Sequence, residues 1–458
     1  MKLHSLCVEN YRNIRAAEFT PGEELTVLCG ENGQGKTNLL EAVWLLTGSK
    51  SFRNAKDAQL IQEGEAFAVV QGSAECGGLE KEIRITVAGE SCEKKGRRAR
   101  VNGVEYARAA SIAGTFTAVV FDPGHLSLVK GSPDGRRRFL DAALCQLYPG
   151  YLSLLRKYTR LVTQKNALLK NYYATFGGAE LLDIFDEKLS EAGQQVSERR
   201  RAYLELLAPL VRENYRDISQ GREEMEICYL PSYDSRGLAC KLKETRSRDI
   251  AAGFCTAGPH REDFDIILSG KQAKLFASQG QQRSAVLSLK LAEAAAAQSI
   301  TGQHPVMLLD DVLSELDDMR QSYLLSRMEQ RQTIVTACDA GLFCKTDGKV
   351  LYVKRAPSRK RPKPVFGRKR MYLHLGQDTI LRTKEILGIF DLDTATLSKH
   401  TRDFLARAEK EGRVVNVTGE LPKSFIVTQG QASGVYITQI SAATLKKRSG
   451  ARRQLMEL

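Results

Sequence analysis

Apolar and polar positions along the first 130 residues change over in short runs separated by turn residues. The continuous apolar run LTVLCG (25–30) predicts a strand buried on both faces, where no polar alternation is needed. TNLLEAVWLLTG (37–48) spaces its apolar residues as a helix does and stops at Gly48, which suits a C-cap. KEIRITVAG (81–89) and TAVVFDP (117–123) predict further strands. From Pro133 to about 215 the period becomes helical. Leu154, Leu155, Tyr158, Leu161 and Val162 form one stripe, with Arg156, Lys157, Arg160 and Lys165 elsewhere on the same helix, and a second long helix runs from about Leu181 to Val211. DFDIIL (263–268) returns to a strand pattern. A strongly helical run, AVLSLKLAEAAAA (285–297), is entered through the turn ASQGQQRS (277–284), and PVMLLDDV (305–312) and RQTIVTAC (331–338) predict buried strands.

Residues 354–370, KRAPSRKRPKPVFGRKR, are rich in Pro and basic residues and too poor in apolar ones to form a core, so they predict a linker. Beyond it, RTKEILGIFDL (382–392) and TLSKHTRDFLARAEKEGR (396–413) predict helices, RVVNVT, SFIVT and VYITQI predict strands, and the tail TLKKRSGARR is basic. The expected organisation is a first α/β lobe over 1–132, a helical lobe over 133–250, a return to the first lobe over 251–353, the linker, and a small α/β domain over 371–458. No repeat recurs, and neither long helix sustains the heptads of an extended coiled-coil arm.

Composition narrows the function classes. No apolar run approaches the ~20 residues of a membrane helix, and the start, MKLHSLCVENYRNIR, lacks an apolar h-region, so a cytoplasmic protein without membrane partners is expected. Ten cysteines stand singly with no zinc spacing, which fits reduced thiols. The net charge is +14, but nine Lys or Arg and no acid lie in 354–370, so the other 441 residues carry only +5. A polyanionic partner is suggested, and pI alone does not locate it.

Gly30-Glu31-Asn32-Gly33-Gln34-Gly35-Lys36-Thr37 fits G-x-x-x-x-G-K-[ST] between a predicted strand and helix. In that setting backbone N–H groups cradle phosphate oxygens, Lys36 reaches the β- and γ-phosphates, and Thr37 ligates Mg²⁺. The strand VMLLDDV (306–312) ends in two carboxylates that need a compensating cation: Asp310 to hold the metal directly or through water, Asp311 to polarise the attacking water. The 274 residues between Lys36 and Asp310 imply a large insertion between neighbouring strands. In the turn before the Ala/Leu helix, Ser278 suits an N-cap, Gly280 allows close backbone approach, and Gln281 follows in the first turn, so the helix offers its positive end to a γ-phosphate.

This arrangement resembles ABC-type ATPases, in which such a turn of one subunit closes over nucleotide held by the partner's P-loop. NYRNI, NGQGKTNLLEA, KSFR (50–53), GSPDGRRRFLD (131–141), AGPHREDF (257–264), SQGQQRS and LLDDVLSELD (308–317), in that order, resemble the RecF-like family over residues 1–353. The resemblance implies an ABC-type P-loop ATPase head with a mixed sheet and helices and an inserted helical lobe. It implies ATP-dependent homodimers, DNA binding at single-stranded gaps or junctions with duplex, and cooperation with RecR and RecO to load RecA, supporting replication and the SOS response. It sets SELD (314–317) at the subunit-contacting loop and Thr336 where a γ-phosphate sensor is expected. ABC transporter ATPases usually carry His in that region.

Where many ABC ATPases have Glu after the metal-binding Asp, this chain has Asp311, one methylene shorter, which predicts slow hydrolysis and a clamp-like use of ATP. Candidates for DNA contact are Arg136, Arg137 and Arg138; Arg156, Lys157 and Arg160; and Lys94, Lys95, Arg97, Arg98 and Arg100, each run having a solvated face as its rival reading. His260 reads as part of a packed turn. Residues 371–458 resemble RemA/RemB-type regulators of extracellular matrix genes, which implies a compact module that self-assembles and touches DNA. Two alternatives stay open: a nucleotide-sensing DNA-binding regulator driven by that module, and a transporter-type ATPase.

Overall fold

The computed structural model describes all residues except 91, 93–94, 329, 340–347, 355–371, 377–378, 383–384, 418–420, 430–433 and 450–458. Lys94, the linker beyond Lys354 and the end of the basic tail (450–453) therefore lie outside the described residues. The chain divides near residue 356 into two compact units.

In the first unit β1 (Lys2–Tyr11), β2 (Ile14–Phe19), β4 (Phe67–Cys76), β5 (Leu79–Ala88), β6 (Gly96–Val101) and β7 (Val104–Tyr106) make an antiparallel sheet of order β2-β1-β4-β5-β6-β7. A parallel sheet, of order β14-β3-β13-β12-β8, is built from β3 (Leu25–Cys29), β8 (Ala118–Phe121), β12 (Val306–Asp310), β13 (Thr333–Ala337) and β14 (Lys349–Tyr352). Its strands β3, β13, β12 and β8 are apolar apart from threonines and the terminal Asp310, because both their faces are covered. On one face lies α1 (Lys36–Leu45), buried nearly all round and packed with Leu28, Val120, Leu308 and Ile334 against the antiparallel sheet. The helix ends before Gly48, which takes a left-handed φ of 79°. On the other face lies α8 (Gln279–Thr301), whose Leu287, Leu291 and Ala294 pack on Val27, Met307 and Leu309.

The opposite side of α8 belongs to the helical core. After the short α2 (Ser127–Lys130) come α3 (Pro133–Leu147), α4 (Tyr151–Lys170), the 41-residue α5 (Gly178–Ile218) and α6 (Gly237–Ala252). Gly193 of α5 lets α6 approach, since an added Cβ would stand 2.5 Å from Leu238 Cδ2. MEICYL folds as β9 (Met225–Leu230), a strand not read in the sequence, between β10 (Asp263–Leu268) and nothing further on its other edge; β11 (Lys271–Gln272) completes that sheet. Two short helices, α7 (Ala273–Phe276) and α9 (Asp318–Ser326), flank α8 and β12 in sequence.

The second unit has a two-stranded sheet, β15 (Tyr372–Gly376) with β16 (Thr379–Arg382), and a four-stranded one. The latter, of order β17-β19-β20-β18, comprises β17 (Ile386–Asp391), β18 (Val414–Asn416), β19 (Ser424–Thr428) and β20 (Val435–Thr438); α10 (Leu392–Ala395), α11 (Lys399–Lys410) and α12 (Ala442–Ser449) accompany it. The helix expected over 382–392 is thus corrected to strand. Its apolar spacing fits a helix, but Gly388 weakens a helix by about 1 kcal/mol. Here Gly388 is buried opposite Val427, and Phe390 stacks on Phe425 at 5.0 Å, so sheet pairing overrides the local period.

Candidate active site

The P-loop joins β3 to α1. Gly30 has no room for a side chain: a Cβ would stand 2.5 Å from the carbonyl oxygen of Val353. Gly33 and Gly35 take φ of 82° and 110°, where an L side chain is strained. The first turn of α1 has no side-chain cap, so its N–H groups are available to phosphate oxygens. Lys36 is buried, and its ammonium donates to the carbonyls of Gly30 (2.5 Å) and Glu31 (3.0 Å), holding the charge at the inner wall of the loop.

At the ends of neighbouring parallel strands, Asp310 is buried. One of its oxygens accepts from Thr37 Oγ1 (2.8 Å) and Thr336 Oγ1 (2.9 Å). Burial pushes the Asp310 carboxyl up, and the two hydroxyls pull it back. Asp311 is exposed and left-handed (φ 52°); its N–H donates to Thr336 Oγ1 (2.9 Å), and Ser314 Oγ donates to its carboxylate (3.1 Å). The single hydroxyl proton of Thr336 goes to Asp310, so in this geometry the residue supports the two aspartates from behind.

Three separate motifs meet around Glu41, which is fully buried on α1. Its carboxylate accepts from Tyr11 (2.8 Å), Arg12 (2.5 and 2.7 Å) and Ser51 (2.5 Å). Asn13 Nδ2 donates to the Gly33 carbonyl (3.0 Å) and Asn38 Nδ2 to Asn13 Oδ1 (2.6 Å), while Arg53 donates to Asn38 Oδ1 (3.1 Å). Asn13, Asn38, Glu41 and Arg53 were not among the site residues expected from sequence, although NYRNI and KSFR contain the signal. Asp122 was missed as well. It follows β8, whose Phe121 pairs with Leu309, so it stands beside Asp310; burial pushes its carboxyl up while the Gly124 N–H holds it back.

Ser278 is the N-cap of α8: its hydroxyl accepts from Gln281 N (3.3 Å), and the Gln281 side chain accepts from Ser278 N (2.8 Å). Behind this capping box Gln281 Nε2 donates to Glu223 (2.7 Å), and Arg320 Nε to Ser284 (2.7 Å). A Cβ on Gly280 would meet only Arg320 Nη2, at 3.5 Å. None of these neighbours belongs to the P-loop or the β12 tip, so the Ser278 turn and the P-loop face different surroundings within one chain.

Several basic candidates are already engaged. Arg136 is buried in a bidentate pair with Asp263 (both 2.7 Å), which corrects its expected DNA contact, and Arg137 donates to the Glu262 carbonyl (2.6 Å). Arg97 lies on the inner side of β6 with Asp57 (3.0 Å) and the Ser49 carbonyl (2.6 Å), and Lys157 pairs with Glu191 (3.6 Å). His260 bridges Tyr158 (2.6 Å) and the Cys255 carbonyl (3.0 Å), a packed turn. Among the described residues no His/Cys/Asp/Glu cluster suits a metal, the cysteines are free, and no helix is long and apolar enough to cross a membrane.

Residues 2–359 match the RecF/RecN/SMC N-terminal domain, and residues 372–448 match the extracellular matrix regulatory protein A-like family. DNA replication and repair proteins RecF of Bacillus thuringiensis (strain Al Hakam) and Bacillus cereus (strain B4264) are each 39% identical over 349 residues, 73% of this chain and 92% of theirs. The solved structure of the recombination mediator protein RecF with ATP in the RecFOR pathway superposes with a TM-score of 0.71 at 33% identity, covering 77% of this chain and 96% of that one. With the head built as an ABC-type ATPase and a small sheet-containing module following it in sequence, the chain belongs to the RecF family of DNA replication and repair proteins.

Proposed function

We propose that the head binds ATP with Mg²⁺, dimerises around it on gapped or junction DNA, and assists RecO and RecR in loading RecA during replication and the SOS response. The carrying observation is the convergence of the Thr37 and Thr336 hydroxyls on one oxygen of buried Asp310, beside an uncapped helix N-terminus. A buried carboxylate met only by neutral donors fits a divalent cation, with Thr37 and Asp310 as its holders; when bound, the ion neutralises charge on the phosphates.

Gly30, Glu31, Asn32, Gly33, Gln34 and Gly35 wrap the phosphates, Lys36 moves from the loop carbonyls to phosphate oxygens, and Asp311 orients the attacking water. Thr336 positions Asp310 and the Asp311 turn. The partner's Ser278, Gly280 and Gln281 complete the site through the positive end of α8. The short Asp311 side chain supports slow hydrolysis, so ATP acts chiefly as a clamp, and turnover depends on DNA. Residues 133–250 serve as the inserted helical lobe between the two parts of the head (1–132 and 251–353), and the reduced cysteines suit a cytoplasmic protein.

Sedimentation velocity with Mg²⁺ and either no nucleotide, ADP or ATP tests the reading. ATP alone should drive monomer to dimer, Ser278→Arg should prevent it, and Asp311→Asn should trap it. ATP binding with no change in mass would refute the composite site.

A further inference from the structure

The antiparallel sheet carries one charged feature that the nucleotide site does not use. On its outer face Arg84 of β5 stands directly opposite Arg100 of β6, and Arg98 lies two residues along the same strand, opposite Thr86. Like charges in cross-strand register destabilise a sheet, by a few tenths to about 1 kcal/mol. Acids stand near this group without closing on it. Among the described residues none of the three guanidiniums forms an ion pair with a carboxylate: Arg84 donates to Gln71 Oε1 (3.1 Å), Arg100 to the Gly103 carbonyl (3.1 Å), and Arg98 Nε is buried with no acceptor. The nearby acids do not answer them. Glu82 is held by Gln71 Nε2 (2.5 Å), and Glu105, although opposite Arg100 in register, makes no ion pair with it. Exposed Lys95 precedes the same strand. Arg97, on the inner side of that strand, is spent on Asp57 and Ser49, so the outer arginines form a separate group.

We propose that Arg84, Arg98 and Arg100 form a docking surface for the phosphate backbone of DNA, resting on the reading of the head as a DNA-binding ATPase. Repeated anions are the partner that removes a cross-strand repulsion between fixed cations. Alternate residues on a strand stand about 6.8 Å apart, close to the separation of successive phosphates along one DNA strand. The sheet fixes the spacing of the three backbone positions before binding, and each guanidinium is suited to bidentate phosphate contact. Contacts of this kind position DNA without reading its sequence.

The test is fluorescence anisotropy of a labelled gapped duplex with the full chain, titrated at several salt concentrations with ATP and Mg²⁺. Wild type is compared with Arg84→Gln/Arg98→Gln/Arg100→Gln and with Arg100→Gln alone, and sedimentation velocity of each checks folding and ATP-driven dimerisation. The triple variant should lose affinity by about tenfold or more, its log–log salt slope should flatten by about 2–3, and an unrelated duplex sequence should weaken equally. Arg100→Gln should flatten the slope by about one. Unchanged affinity and slope in variants that still dimerise would overturn this surface and leave the head's DNA binding intact. A wild-type protein that dimerises yet binds no DNA at low salt would overturn the DNA-binding reading on which the surface rests.

Discussion

At the residue scale, Thr336 and Glu41 show how little of a site is made by the groups that touch its ligand. Thr336 spends its only proton on Asp310 and its lone pair on the Asp311 N–H. Replacing it with Val keeps the shape and strands both partners, a loss of about 1–3 kcal/mol if felt in the transition state. Thr336→Val should therefore bind ATP almost as wild type while turning it over about tenfold or more slowly, measured by nucleotide titration and phosphate release. Glu41 answers the Arg12 guanidinium and two hydroxyls with no exposure to water. Glu41→Ala leaves a half-buried cation without its partner, and chemical denaturation should show the first unit losing about 3–5 kcal/mol.

At the scale of elements, legibility in the sequence followed how local the cause was. The strand at 25–29, the helix from 36, the capped turn at Ser278 and the strand ending at Asp310 were readable because apolar runs, glycines and a cap residue lie side by side in the chain. Asp122 escaped because its importance comes from strand register, which sets it beside a residue 188 positions away. The Glu41 network escaped because Tyr11, Arg12 and Ser51 meet it only after the sheet has formed. Arg136 misled for the complementary reason: its acid, Asp263, lies 127 residues on. The 386–391 strand misled because an irregular register at Gly388 lets apolar residues fall at helical spacing. Packing between α5 and α6 depends on such a tertiary detail. Gly193→Leu would place a side chain where Leu238 and Tyr158 already stand, and should cost about 1–3 kcal/mol or more by thermal or chemical denaturation.

At the scale of the whole molecule, the two units have separate cores: three apolar clusters lie within the first, and two smaller ones within the second. A chain ending at residue 353 should therefore fold, and it should still dimerise on ATP by sedimentation velocity, since every residue assigned to the nucleotide lies before that point. Calorimetry of the full chain should show a second transition that this shorter chain lacks.

Gly280 carries a consequence for inheritance. Its surroundings within the chain would tolerate a side chain, so a bulky substitution there should yield a stable protein that still loads its own P-loop. Such a subunit would spoil only the site it lends to another copy. Under the proposed composite site, a mixed pair with wild type would keep one complete site, made of the altered copy's P-loop and the wild-type turn. A change at Lys36 severe enough to stop nucleotide loading would spoil the opposite half, so copies altered at Gly280 and copies altered at Lys36 would together assemble one intact site where neither does alone.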